Sequence, residues 1–174
     1  MLSDWAKYQR SAAQVWSPDG GRDPLDQSYR LYTLALSGEP EVGSMNRLKE
    51  AKSLANPVRW QLAAAYQLAG IKDAAKDLAE GAGMSAAEYK QPGATFGSSL
   101  RDKAVILNSL AILGRYDDKS LAEAISAELT AERWESTQSI AYALMAAARF
   151  YGASGAAEGV EFSYTSGQKE MKKA

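Results

Sequence analysis

Apolar and polar positions along this chain recur mostly with a helical period, and proline and glycine fall mostly between the periodic stretches. The pattern predicts about eight helices, over 2–16, 26–37, 44–54, 57–69, 71–80, 98–113, 118–131 and 136–152. The stretch 81–97 reads as a long loop with at most one helical turn. Ser85 and Glu88 have the spacing of a capping box, but Gln91-Pro92-Gly93 ends that segment at once. Asn56-Pro57 reads as an N-cap followed by a proline that has no N–H to leave unpaired. Asp26, Ser44, Asp117 and Ser136 are further cap candidates. Gly38, Gly70, Gly114 and Gly152 each follow an apolar run, where glycine enters a left-handed C′ position at little cost.

The helices differ in character. The segments 26–37, 57–69 and 136–152 carry almost no charge beyond Arg30, Arg59 and Arg149, and 98–113 keeps Arg101, Asp102 and Lys103 near its start. Helices apolar nearly all round are expected to be buried on most sides. The segments between them are one-sided. Met45, Leu48, Ala51 and Leu54 form one stripe, Ile71, Ala74, Ala75 and Leu78 a second, and Leu121, Ile125 and Leu129 a third. Alternation of buried and one-sided helices is what two layers require, so the expected fold is all-α, an α/α toroid or α-solenoid. The four glycines are spaced by 32, 44 and 38 residues, within the range of helical-hairpin repeats. After Gly152 the pattern changes. Val160-Glu161-Phe162-Ser163-Tyr164 alternates as a strand does, ahead of a polar, Lys-rich end with little to bury. The expected organisation is therefore a partial toroid over 1–152, then a linker and the first strand of a β-domain over 153–174.

Composition narrows the chemistry. The chain has 174 residues with no cysteine and no histidine, so disulfides, thiolate nucleophiles, Cys/His zinc sites and His-dependent triads are excluded. The net charge is −1, which gives no long-range attraction for nucleic acid. No apolar run is long enough to span a bilayer, and Met1-Leu2-Ser3-Asp4 is unlike the start of a signal peptide.

Four groups of residues carry candidate chemistry. Gly97-Ser98-Ser99-Leu100-Arg101-Asp102 is either an anion-binding helix start or a plain cap with Asp102 in the first turn. It lacks the glycines and lysine of a phosphate loop, which favours the cap. Asp117-Asp118 and Glu132/Glu135 could be paired acids of a sugar-cleaving toroid, but at helix starts and in short loops they read as caps and solvated charges. Trp5, Trp16, Trp60 and Trp134, with nine tyrosines, could form a stacking platform. Their helical spacing favours core packing, with Trp134 stapling the entry of the last helix. Ser136-Thr137-Gln138 reads as a cap with a buried amide. No residue is assigned to catalysis, to a cofactor or to a metal.

Three stretches carry a family resemblance: Ser28-Tyr-Arg-Leu-Tyr-Thr-Leu-Ala-Leu-Ser-Gly38, Phe96-Gly-Ser-Ser-Leu-Arg-Asp-Lys-Ala-Val-Ile-Leu107 and Trp134-Glu-Ser-Thr-Gln-Ser-Ile-Ala-Tyr-Ala-Leu144. Together they resemble the later part of the thioester (α/α-toroid) domain of bacterial alpha-2-macroglobulins, from about Asp26 to Tyr164. The resemblance implies a multi-domain endopeptidase inhibitor that traps proteases, periplasmic and often lipid-anchored, in which β-domains follow the toroid. The Cys-x-Glu-Gln thioester motif is absent, and a chain without cysteine cannot hold it elsewhere. Either the thioester lies upstream of Met1, or the chain belongs to members that lack one. The implied role is a non-catalytic scaffold segment, whose partners are target proteases through the full-length protein and neighbouring β-domains. A stand-alone α-solenoid protein-binding module and an α/α-toroid carbohydrate-active enzyme are the alternatives. A toroid of the family has six hairpins and about four are counted here, so an open apolar edge is expected, with pairing between copies at high concentration.

Overall fold

A computed structural model describes residues 2–91, 97–116 and 119–153, and the backbone of 162–166 and 169–173. The helices are α1 (Leu2–Gln14), α2 (Pro24–Leu36), α3 (Val42–Lys49), α4 (Asn56–Leu68), α5 (Lys72–Glu80), α6 (Ser99–Ile112), α7 (Ser120–Thr130) and α8 (Thr137–Ala153). The helical body is all-α. Two five-residue strands, β1 (Phe162–Ser166) and β2 (Lys169–Lys173), pair antiparallel with Phe162 opposite Lys173. The Lys-rich end, read from sequence as having little to bury, is thus the partner strand of β1.

The even-numbered helices form a row. The helix α4 packs between α2 and α6, and α6 packs between α4 and α8. The odd-numbered helices make a second layer: α1 and α3 lie on α2, α3 and α5 on α4, and α7 on α6 and α8. Burial follows the sequence pattern. In α4 every residue from Trp60 to Tyr66 is buried, and in α6 Ala104 to Leu107 are. The second-layer helices bury one stripe each: Met45 and Leu48 in α3, Ala75, Leu78 and Ala79 in α5, Leu121 and Ile125 in α7. One connected core results, with Trp16, Trp60, Tyr66 and Phe150 its largest fully buried side chains.

The helix α8 departs from the expectation of burial on most sides. Only Ser139, Ala143, Ala146 and Phe150 are buried, while Leu144 is 56% and Met145 63% exposed. The cause is position. The helices α4 and α6 have row neighbours on both sides, whereas the α8 backbone comes close only to those of α6 and α7 among the described elements.

Three row helices end alike. At Gly38, Gly70 and Gly114 the backbone has φ of 82°, 79° and 70°. The following N–H then reaches back to the last turn: Glu39 to the Leu34 carbonyl, Ile71 to that of Tyr66, Arg115 to that of Leu110. Gly152 does not join them, because α8 runs through it to Ala153.

Several starts also differ from the sequence reading. Asp23, not Asp26, caps α2, its carboxylate accepting the Leu25 N–H at 2.8 Å with Pro24 in the first turn. Ser44 lies inside α3, which begins at Val42 and stops at Lys49 rather than 54. Asn56 does not cap α4. Its amide accepts from the Gly83 N–H at 3.0 Å and donates to the Ser85 carbonyl at 2.9 Å. That contact, with Trp60 Nε1 donating to the Gly83 carbonyl at 2.9 Å, straps the loop after α5 onto α4. Ser136 does cap α8, accepting the Ser139 N–H at 3.1 Å. Asp117 falls outside the described residues.

Candidate functional site

The row of α2, α4, α6 and α8 brings its two ends within side-chain reach of each other. Its two ends make no backbone-level contact, yet their side chains meet. The Tyr29 ring of α2 stands edge-on to the Tyr142 ring of α8, with centroids 6.2 Å apart. Arg149 Nη1 of α8 donates to the Tyr32 phenol oxygen of α2 at 3.4 Å. Asn108 Nδ2 of α6 donates to the same oxygen at 3.3 Å. The helices α4 and α6 form the floor. Two adjoining hollows of about 180 and 230 Å³ result, both bordered by Tyr29, Gln61, Val105, Gln138 and Tyr142. Burial, the hydrogen bond with Tyr29 and that ring's charge raise the Tyr142 phenol above its ordinary pKa.

Gln61, on the floor, is held from behind. Gln61 Oε1 accepts from the Ser28 hydroxyl at 2.8 Å, tying α4 to α2. Gln27, fully buried, donates to the Ala13 carbonyl at 3.0 Å and accepts from Arg30 at 2.8 Å. Among the described residues the buried side-chain amides are therefore those of Gln27 and Gln61. Gln138, expected to be the buried amide, is exposed and borders the crevice.

The segment Gly97–Asp102 behaves as a cap. Ser98 Oγ accepts the Arg101 N–H at 3.2 Å. Ser98 also shares a hydrogen bond of 2.7 Å with Ser139, which accepts from Ser136 at 2.9 Å. Three buried serines thus join the starts of α6 and α8, and so join two stretches that stand 41 residues apart. Beside them, Asp102 accepts from the Tyr89 phenol at 3.0 Å and from Arg101 Nε at 3.2 Å. Burial raises the Asp102 carboxyl above its ordinary pKa, although Arg101 and Tyr89 pull it back. Burial also pushes the Tyr89 phenol up to about 12. A hollow of about 300 Å³ lies over this cluster, reaching Asp23 and Pro57 at the starts of α2 and α4. The Asp102 oxygens are already engaged there by Arg101 and Tyr89, so the cluster fastens the 81–91 loop to α6.

The remaining sequence candidates separate. Glu135 is held by Lys90 at 2.9 Å and by Arg133 at 3.5 Å, and Glu132 is exposed, so the two are not brought together across a cleft. Asp117 and Asp118 lie outside the described residues. Trp16 and Trp60 are core, Trp5 packs against it, and Trp134 is 63% exposed with Lys90 lying 5.0 Å over its ring. Trp134 therefore corrects the expectation of core packing. Lys90 also donates to its carbonyl, which holds the loop against the start of α8. Among the described residues no group of three metal-ligating side chains gathers, and no helix is long and apolar enough to cross a membrane.

Sequence reasoning missed the crevice. Its side chains come from four helices, and each alone reads as an ordinary row-facing residue. The usable signal was the lone arginine in an otherwise uncharged α8. No family model, curated protein or solved structure matches the chain.

Proposed function

We propose that this chain is a non-catalytic scaffold segment of a bacterial alpha-2-macroglobulin-like endopeptidase inhibitor, part of an α/α toroid working in the periplasm. The observation that carries the reading is the row of even-numbered helices with a second layer outside it, three of them ending in the same glycine closure. That is the repeat a toroid is built from. Two of the three stretches that carry the resemblance are joined to each other, at the starts of α6 and α8, through Ser98, Ser136 and Ser139. The exposed face of α8 suits packing against a neighbouring domain, and the same face is where copies of the chain would pair.

The test uses the protein encoded by the whole reading frame that contains these residues. A trap incubated with a broad-specificity endopeptidase protects casein while a short chromogenic peptide is still cleaved. Casein hydrolysis unchanged by an excess of the intact protein overturns the reading. The crevice between α2 and α8 favours a second reading, a helical module that binds a partner on its own.

A further inference from the structure

We infer that the crevice between α2 and α8 is a binding site for a small carboxylate carried on an aromatic or alkyl body. The inference does not depend on the scaffold reading, because it rests on the crevice alone.

The charge is the first argument. In the larger hollow Arg149 is the only charged side chain on the lining. Its one described polar contact is the 3.4 Å bond to the Tyr32 phenol, and no described carboxylate pairs with it. A guanidinium offers five N–H donors in a planar fork that matches a carboxylate. Among the described residues, the bond to Tyr32 leaves most of that fork unengaged. A single cation also sets the ligand's charge at one. Arg101, at the far end of the smaller hollow, is engaged by Asp102 and Tyr89. A dianion such as phosphate would find no second free guanidinium.

The walls are the second argument. Beyond Arg149 the surface is mainly apolar and aromatic, from Tyr29, Tyr142, Leu36 and Met145, with the Gln61, Gln138 and Asn108 amides among them. Leu36 is 50% and Tyr29 45% exposed there, on a helix that buries Leu31, Tyr32, Leu34 and Ala35. An aromatic or short alkyl body would cover that surface and face the Tyr29–Tyr142 pair. The Asn108 amide, beside Tyr32, supplies a further donor near the carboxylate position. Each hollow is smaller than an ordinary small-ligand site of about 300–1,000 Å³, and only the two together reach the low end of that range, which suits a small ligand.

The experiment titrates the whole chain with 3-phenylpropanoate and with its neutral amide, 3-phenylpropanamide, by calorimetry and by nitrogen-edited NMR. The acid is expected to bind saturably and about tenfold or more tighter than the amide, since a charge-assisted pair is lost in the latter. In the wild-type chain the acid should shift the Asn108 side-chain amide and the Arg149 Nε signals. Arg149→Gln should bring the two ligands to within about twofold of one another, and Arg149→Lys should restore part of the preference. The wild-type NMR shifts stand even if Arg149→Gln fails to fold. Equal affinity for acid and amide overturns the inference, as do shifts that avoid Asn108 and Arg149. Binding of a peptide ending in phenylalanine, with none of 3-phenylpropanoate, also overturns it by moving the site to a protein partner.

Discussion

At Gly70 the backbone lies at φ 79°, a conformation in which a Cβ crowds the following carbonyl. Gly70→Ala is expected to destabilise the chain by about 1–2 kcal/mol, measured by urea unfolding. Gly152→Ala should have the opposite sign, a gain of up to about 0.5 kcal/mol, because Gly152 is helical and a Cβ there meets nothing within 4 Å. Equal effects at the two positions would remove the distinction between row helices that end at glycine and the one that does not. Ser44 offers a third substitution. Its hydroxyl is buried in α3 with no hydrogen-bond partner among the described residues, so Ser44→Ala should be neutral or raise stability by about 1 kcal/mol in the same assay. The sequence names these residues as punctuation but not their employment. Asn56, Ser44 and Gly152 each have the chemistry of a cap, and each does something else because of a neighbour distant in sequence or a helix that runs on. Asn56 has a loop 27 residues away to hold.

Helices were legible because their apolar stripes are local. The loop at 81–91 was legible only as a loop, since what makes it a strap is a set of partners on α4, α6 and the start of α8. Its ionic fastening gives two pH dependences of opposite sign. Hydrogen bonds from Lys103 and Ser99 hold the exposed Glu88 carboxyl below its ordinary pKa. Glu88 thus lends stability above that ordinary value, which is lost as pH falls through the lowered one. Asp102 has a raised pKa, so its contribution is present below its ordinary value and is lost as pH rises through the raised one. Burial alone would lower the pKa of Lys103, but hydrogen bonds from it to Glu128 and Glu88 outweigh that and raise it. Melting curves of the wild type, Glu88→Gln and Asp102→Asn from pH 7 to pH 3 test the signs. The difference between wild type and Glu88→Gln should shift against the wild type on acidification, and that against Asp102→Asn should shift toward it. The same sign for both would mean that the burial of Asp102 does not govern its titration.

The whole molecule adds what no single helix can tell. Alternation of uncharged and one-sided segments predicts two layers, and α4 and α6 fit it because the row continues on both sides of them. The pattern cannot show which face of α8 is left uncovered, since that depends on which neighbours the described helices supply. Ile140, Leu144 and Met145 are 37%, 56% and 63% exposed on a helix whose only charge is Arg149. Covering this face with the same face of a second copy removes apolar surface from water on both. The area is the limit. A standard interface buries about 800 Å² on each partner, and a few side chains of one helix fall well short of it. Pairing is therefore weak and belongs at about millimolar concentration, where the binding free energy is about 4 kcal/mol. Light scattering at about 1 mM should give a molar mass above the 18.7 kDa of one chain, falling toward it on dilution. Ile140→Lys with Leu144→Lys should return the mass to that of one chain at every concentration, because two ammonium groups on each face oppose each other across the contact. Neither position lines the crevice, so 3-phenylpropanoate binding should survive in the same variant. A wild-type chain that stays at 18.7 kDa at 1 mM would mean that this face does not pair.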